Sequence, residues 1–121
     1  MRTSADAPDF DLWVKLYDVA PDGTSWNLMS PGLDVQRASY RDGGPERKLL
    51  KPGERATLRF DDLVTGNLFR KGHRLRALLC GSFFPAFSRN LQTGELEATS
   101  SAMRKARITV HGGRLVLPVV P

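Results

Sequence analysis

Cysteine is almost missing from this chain: its 121 residues include one, Cys80. A single thiol excludes an internal disulfide framework. With His73 and His111 as the two histidines, far apart in sequence, it leaves no closely spaced ligand set for a structural zinc. Long apolar runs are missing as well. None approaches the roughly 20 residues that cross a bilayer, and the opening Met1-Arg2-Thr3-Ser4-Ala5-Asp6 has no apolar leader. A cytoplasmic location and no membrane partner are the expectation. Aromatic residues are only 8% and form no stacking motif of the RNA-recognition kind. Helical periodicity is also scarce, which argues against a helical bundle.

The chain does have a basic excess, net +5, and 40% hydrophobic residues, enough for one globular core over residues 1–121. The basic residues are spread along the chain. Their densest groups, Arg70-Lys71-Gly72-His73-Arg74-Leu75-Arg76 and Arg104-Lys105-Ala106-Arg107, alternate with apolar residues as solvated strand faces do. A basic surface facing an acidic partner domain fits this better than a nucleic-acid binder.

Strand patterns dominate. Phe10 to Val19 alternates, with Phe10, Leu12, Val14 and Leu16 on an inward face and Asp11, Trp13, Lys15 and Tyr17 on an outer one. Pro21-Asp22-Gly23 predicts a tight turn into a short strand, Trp26 to Met29, completing a hairpin. Leu33 to Tyr40 is ambiguous and suggests a strand with a slip or bulge. Arg41 to Glu46 is loop by composition. Ala56, Leu58 and Phe60 point inward from the next strand, and residues 61–67 form a connection that could hold a helical turn. His73 to Cys80 turns continuously apolar, which predicts a central strand buried on both sides in its later half. Arg104 to Val110, Gly112-Gly113 and Arg114 to Val119 read as a final hairpin. Many short strands separated by turns indicate an all-β sandwich or barrel.

Catalytic machinery is not legible. No Gly-x-Ser-x-Gly elbow occurs; Gly81-Ser82 comes nearest, and Phe84 stands where the closing glycine belongs. His73 and His111 each flank a glycine turn and read as surface histidines. Cys80 ends the most apolar run and reads as a buried, inert thiol. Asp9 and Asp11 are candidate calcium carboxylates, but the EF-hand spacing is absent and a solvated strand start is the plainer reading. Gly66 to Gly72 lacks the Lys-Ser/Thr of a phosphate loop.

Three stretches carry a family signal: Asp9-Phe10 with Leu16-Tyr17-Asp18-Val19-Ala20-Pro21-Asp22-Gly23; Leu50-Lys51-Pro52-Gly53-Glu54 with Asn67-Leu68-Phe69-Arg70-Lys71-Gly72-His73-Arg74; and Ser82-Phe83-Phe84-Pro85-Ala86-Phe87-Ser88-Arg89-Asn90, with Leu117-Pro118-Val119 near the end. In this order the chain resembles the C-terminal non-catalytic domain of the X-Pro dipeptidyl-peptidase and cocaine esterase family of serine hydrolases. The resemblance implies a jelly-roll sandwich of the galactose-binding-like kind, with no catalytic residue, metal or cofactor. It implies an α/β-hydrolase domain as partner, in cis or from an adjacent reading frame. Asp18, Asp22, Gly23, Gly72, His73, Arg74, Phe84, Pro85, Arg89 and Asn90 are its motif residues here. Phe84, Pro85 and Phe87 are expected to pin their loop to the core, Asn90 to cap a turn and Arg89 to reach carbonyls.

Two features depart from the family pattern. Its members have a strand before Asp9-Phe10, where only Met1 to Pro8 stand here, so the sandwich is expected to lack its first strand. His111-Gly112-Gly113 also replaces a longer loop. A missing strand leaves an unpaired edge, expected to pair with another copy by edge addition or swapping, or to be refilled by the chain's own tail. The competing reading is an autonomous carbohydrate-binding module with Trp13, Trp26 or Tyr17 as its stacking platform.

Overall fold

A computed structural model describes residues 1–29, 32–61 and 63–120. The connection over 61–67 is therefore described except at Asp62, and position 121 also lies outside the described residues. Among the described residues there are seven strands: β1 Arg2–Ala5, β2 Asp11–Val19, β3 Ser25–Asn27, β4 Asp34–Arg37, β5 Arg55–Thr57, β6 Arg74–Cys80 and β7 Ile108–Gly112. The only helical turn among the described residues is a 3-10 turn, Ala38–Tyr40, directly after β4. All pairings are antiparallel.

Strand β2 organises the larger sheet. It pairs with β6 from Trp13 to Val19, with β4 from Asp11 to Val14 and with β3 from Tyr17 to Val19. A strand has two hydrogen-bonding edges, so β3 and β4 share one edge and β6 takes the other. The smaller sheet runs β5-β1-β7. Between the sheets lies a core of Ala5, Ala7, Phe10, Leu12, Ala38, Leu50, Ala56 and Leu58, continued by Val14, Leu16 and Met29. Phe60 and Leu79 pack against both groups. The architecture is a nearly all-β sandwich.

The inward faces of β2 and β5 follow the alternation of the sequence, and Phe10 is wholly buried. The first hairpin forms as its turn chemistry predicts: Gly23 takes φ +93° and donates to Ala20 O, and the Asp22 carboxylate accepts from the Thr24 amide at 2.9 Å. Leu33 to Tyr40 resolves as a four-residue strand followed by the 3-10 turn.

Four expectations need correction. A strand does precede Asp9-Phe10: β1 is the middle strand of its sheet. Its inward residues, Thr3 and Ala5, are small, so no apolar alternation announces it. Strand β6 is not central and doubly buried. Its one partner among the described residues is β2, and Leu75 and Leu78 stay 38% and 39% exposed. The outer side of β2 is not solvated at its start, because Asp11 and Trp13 are both buried. The last hairpin does not form: residues 113–120 contain no strand, Gly112 belongs to β7, and Gly113 lies against Met1 where a side chain has no room.

Truncating the core tests this packing. Phe10→Ala should cost about 3–5 kcal/mol in urea unfolding. Phe84→Ala, at a ring 60% exposed, should stay within about 0.5 kcal/mol. Equal losses would show that the core is not where the sandwich places it.

Candidate functional site: two polar clusters on one strand

The motif residues gather at the two ends of β2. At the C-terminal end, the Asp18 carboxylate holds His73 Nδ1 at 2.8 Å and accepts from Asn67 Nδ2 at 3.1 Å. The His73 ring stacks on Trp26, centroids 6.1 Å apart and nearly parallel. Gly72 has φ +87°, and a Cβ there would stand 3.3 Å from Pro21 Cγ. The Lys71-Gly72 turn therefore presses on the Pro21-Asp22-Gly23 turn, and glycine is the residue that permits both the angle and the approach. Arg74 is not drawn in; it pairs with Val19 in the sheet and its side chain is exposed.

The N-terminal end is about 23 Å away along the strand at ~3.3 Å per residue. Asp11 accepts from Arg37 Nε at 2.8 Å, from Arg37 Nη2 at 3.3 Å and from Asn90 Nδ2 at 3.0 Å. Arg37 reaches on to Glu97, with Nη2 2.6 Å from Oε1. Asn90 Oδ1 accepts from the Gln92 amide at 2.8 Å, so Asn90 caps its turn as expected and also ties it to β2. Arg89 does not reach carbonyls; its guanidinium lies over the Phe84 ring at 4.8 Å. The loop is pinned by Phe83 and Phe87, whose rings meet Trp13 at 5.6 and 4.9 Å, while Phe84 and the cis-linked Pro85 remain exposed.

Just before β2, Asp9 is 1% exposed and fully used. It accepts from the Phe10 and Ser39 amides at 3.0 and 2.9 Å, from Ser39 Oγ at 3.0 Å and from Arg47 Nη2 at 3.2 Å. Asp9 and Asp11 are thus internal ion-pair centres, and among the described residues no group of three acidic, histidine or cysteine side chains is arranged to hold a metal. Sequence reasoning missed Arg37, Ser39, Arg47 and Glu97. The signal was available in part: a carboxylate inside a buried strand demands partners.

Protonation follows the same geometry. Burial opposes the charge of Asp18, but the Asn67 and His73 hydrogen bonds and the positive charges of His73 and Arg70 outweigh it and hold its carboxyl below the usual value. Burial likewise opposes Glu97, and Arg37 more than compensates, lowering its pKa. The Asp22 carboxyl is lowered chiefly by the Thr24 amide.

No serine, histidine and acid are linked in series among the described residues. His73 has its acid without a hydroxyl, and His111 Nε2 lies 2.8 Å from Ser4 Oγ without an acid. Of the aromatic candidates, Trp13 is buried under Phe83 and Phe87, Tyr17 is half-buried, and Trp26 stacks on His73 while staying 50% exposed.

With this geometry in view, comparison with known proteins is decisive. Residues 1–115 match the family described as X-Pro dipeptidyl-peptidase C-terminal non-catalytic domain. The chain belongs to that family. It is 33% identical to the cocaine esterase of Rhodococcus sp. (strain MB1 Bresler) over 124 aligned residues, covering 97% of this chain and 21% of that one. It is 37% identical over 131 residues to putative serine esterases of Mycobacterium bovis and Mycobacterium tuberculosis, covering 97% of this chain and 20% of each. The chain spans about a fifth of the length of these curated relatives.

Two measurements check the clusters. Asp9→Ala strands Ser39 and Arg47 and should cost about 2–4 kcal/mol in urea unfolding; a loss below about 0.5 kcal/mol would remove its structural role. For Asp18, a folded pKa below the ordinary 3.8 means that its contribution is complete above that pH and disappears as pH falls through the folded value. Unfolding midpoints from pH ~5 to ~2 should therefore fall less steeply in Asp18→Asn than in the unsubstituted chain. Identical slopes would contradict the assignment.

Proposed function

We propose that residues 1–121 form a non-catalytic sandwich module of jelly-roll winding that packs against and supports the α/β-hydrolase domain of a serine esterase or dipeptidyl-peptidase, in cis or from an adjacent reading frame. The observation that carries this reading is β6. It is the most apolar strand of the chain, yet Leu78 on its outer side is exposed, as are Leu75 and Ala77, which pair with Asp18 and Leu16 on the opposite side. Leu78 lies on the same side of the sheet as Lys15, because the two residues are paired across β2 and β6. Phe83 also reaches this side, its ring 5.2 Å from the Lys15 ammonium. Exposed Phe87, whose ring meets Trp13 on the same side of β2, extends the apolar patch. A patch of this kind, rimmed by Lys15 and Arg76, suits a partner surface with apolar and acidic groups.

The edge of β6 that is unpaired among the described residues adds a second contact. Seven residues with one paired edge are a template for another strand, so self-association through β6 accompanies this reading. Light scattering should show mass rising toward a dimer with concentration; a constant monomer up to millimolar concentration would remove the edge contact and leave the module reading intact.

The module reading has its own test. The 121-residue chain should not cleave p-nitrophenyl esters or X-Pro amides, and it should bind the hydrolase domain with an affinity reduced about tenfold or more by Leu78→Glu. Ester turnover lost in Ser4→Ala, the one serine bonded to a histidine among the described residues, would make the chain an enzyme and end the reading.

A further inference from the structure

The outer face of the small sheet holds charge that nothing described neutralises. Along β1, Thr3 and Ala5 point to the core, so Arg2 and Ser4 point outward. Arg2 pairs with Thr57 and Ser4 with Arg55, which puts Arg2, Ser4, Arg55 and Thr57 on the same face. From the other side of β1, His111 on β7 brings its Nε2 to 2.8 Å from Ser4 Oγ, which fixes the ring. Arg2 and Arg55 are diagonal neighbours, a like-charge arrangement that weakens a sheet unless something offsets it. Among the described residues neither Arg2 nor Arg55 has a carboxylate partner, which they share with most arginines other than Arg37, Arg41 and Arg47. Between these side chains lies a cavity of about 280 Å³, lined by Arg2, Arg55, Ala56, Thr57 and His111.

We infer that this cavity is a binding site for a small molecule carrying a phosphate or sulfate group, clasped by the Arg2 and Arg55 guanidiniums with His111 and the Thr57 hydroxyl beside them. Two guanidinium forks offer paired N–H donors that match tetrahedral oxyanions, and an anion between them removes their repulsion. The site is a small half-open depression, a size that suits a phosphate with a short organic body. The Arg2 guanidinium lies beside Gly112, whose φ of +134° disfavours any side chain; a Cβ there would meet Arg2 Nη2 at an ordinary contact distance of 3.5 Å. The site is separate from the β6 surface, so it does not depend on the docking reading.

The test uses the 121-residue chain and inorganic phosphate, at an ionic strength held constant with chloride. Arginine Nε–Hε and histidine ring NMR signals are followed through the titration. Saturable shifts of Arg2, Arg55 and His111 with one common Kd are expected, with sulfate competing and acetate binding more weakly. Arg55→Gln should weaken binding about tenfold or more. Arg55→Lys, which keeps the charge and loses the fork, should fall between. Arg59→Gln removes the same charge from an exposed residue outside the cavity and should leave the Kd unchanged. Shifts that never saturate, or equal weakening in Arg55→Gln and Arg59→Gln, would show a diffuse charge effect and overturn the site.

Discussion

Strand β2 is buried along its inward face and, at its start, on its outer face too, and three carboxylates at or near its ends are buried with it. Leu12, Val14 and Leu16 face the second sheet, while Trp13 is covered by the Phe83 and Phe87 rings. Asp9, Asp11 and Asp18 are consequently cut off from water. A buried carboxylate without partners costs far more than a domain's marginal stability can absorb. Each one therefore has to collect donors, and β2's own backbone, engaged in sheet pairing, supplies few. The donors come from elsewhere in the chain: Ser39 and Arg47 for Asp9, Arg37 and Asn90 for Asp11, Asn67 and His73 for Asp18.

That constraint explains why so little regular structure holds so long a chain in order. The segments joining the strands are tied to β2 by side chains as much as by backbone ladders. Lys48 and Leu50 donate their amides to Ser39 O and Pro8 O, so the segment around Arg47 is fastened beside the Asp9 carboxylate. Asn90 fastens the aromatic loop next to the rings that cover Trp13. Paired buried charges add modest net stability, but their geometry is demanding, and breaking one leaves the other stranded. They act here as locators that fix which loop meets which end of the strand.

The sequence made part of this legible. The alternation of Phe10 to Leu16 identified the inward face because apolar period-two spacing has one physical reading. Pro21-Asp22-Gly23 identified its turn because glycine supplies a positive φ. Asp18, Gly72, His73 and Asn90 stood out as motif residues, and the structure gives them a common logic as partners of β2 or neighbours of its turn. Strand β1 was hidden because small Thr3 and Ala5 face the core. The burial of Trp13 and Asp11 was hidden because it depends on a loop some 70 residues later. The apolar run of β6 predicted burial that the described residues do not supply, and that mismatch is the strongest pointer to an external partner surface. Arg37 and Glu97 gave no local sign at all, since only the fold brings them to Asp11.

The family is described as a non-catalytic domain, and in this chain the polar clusters tie loops to β2. The Asp18–His73 pair has the orientation of an acid–base couple and uses it to join two turns. The most direct test is native-state hydrogen exchange of the 121-residue chain. If the carboxylates of β2 are what hold the loops, the Ser39 amide on Asp9 and the Leu50 amide on Pro8 will open with the same free energy as the central amides of β2. Loop amides that exchange by small local openings, while β2 stays protected to the global limit, would contradict the account.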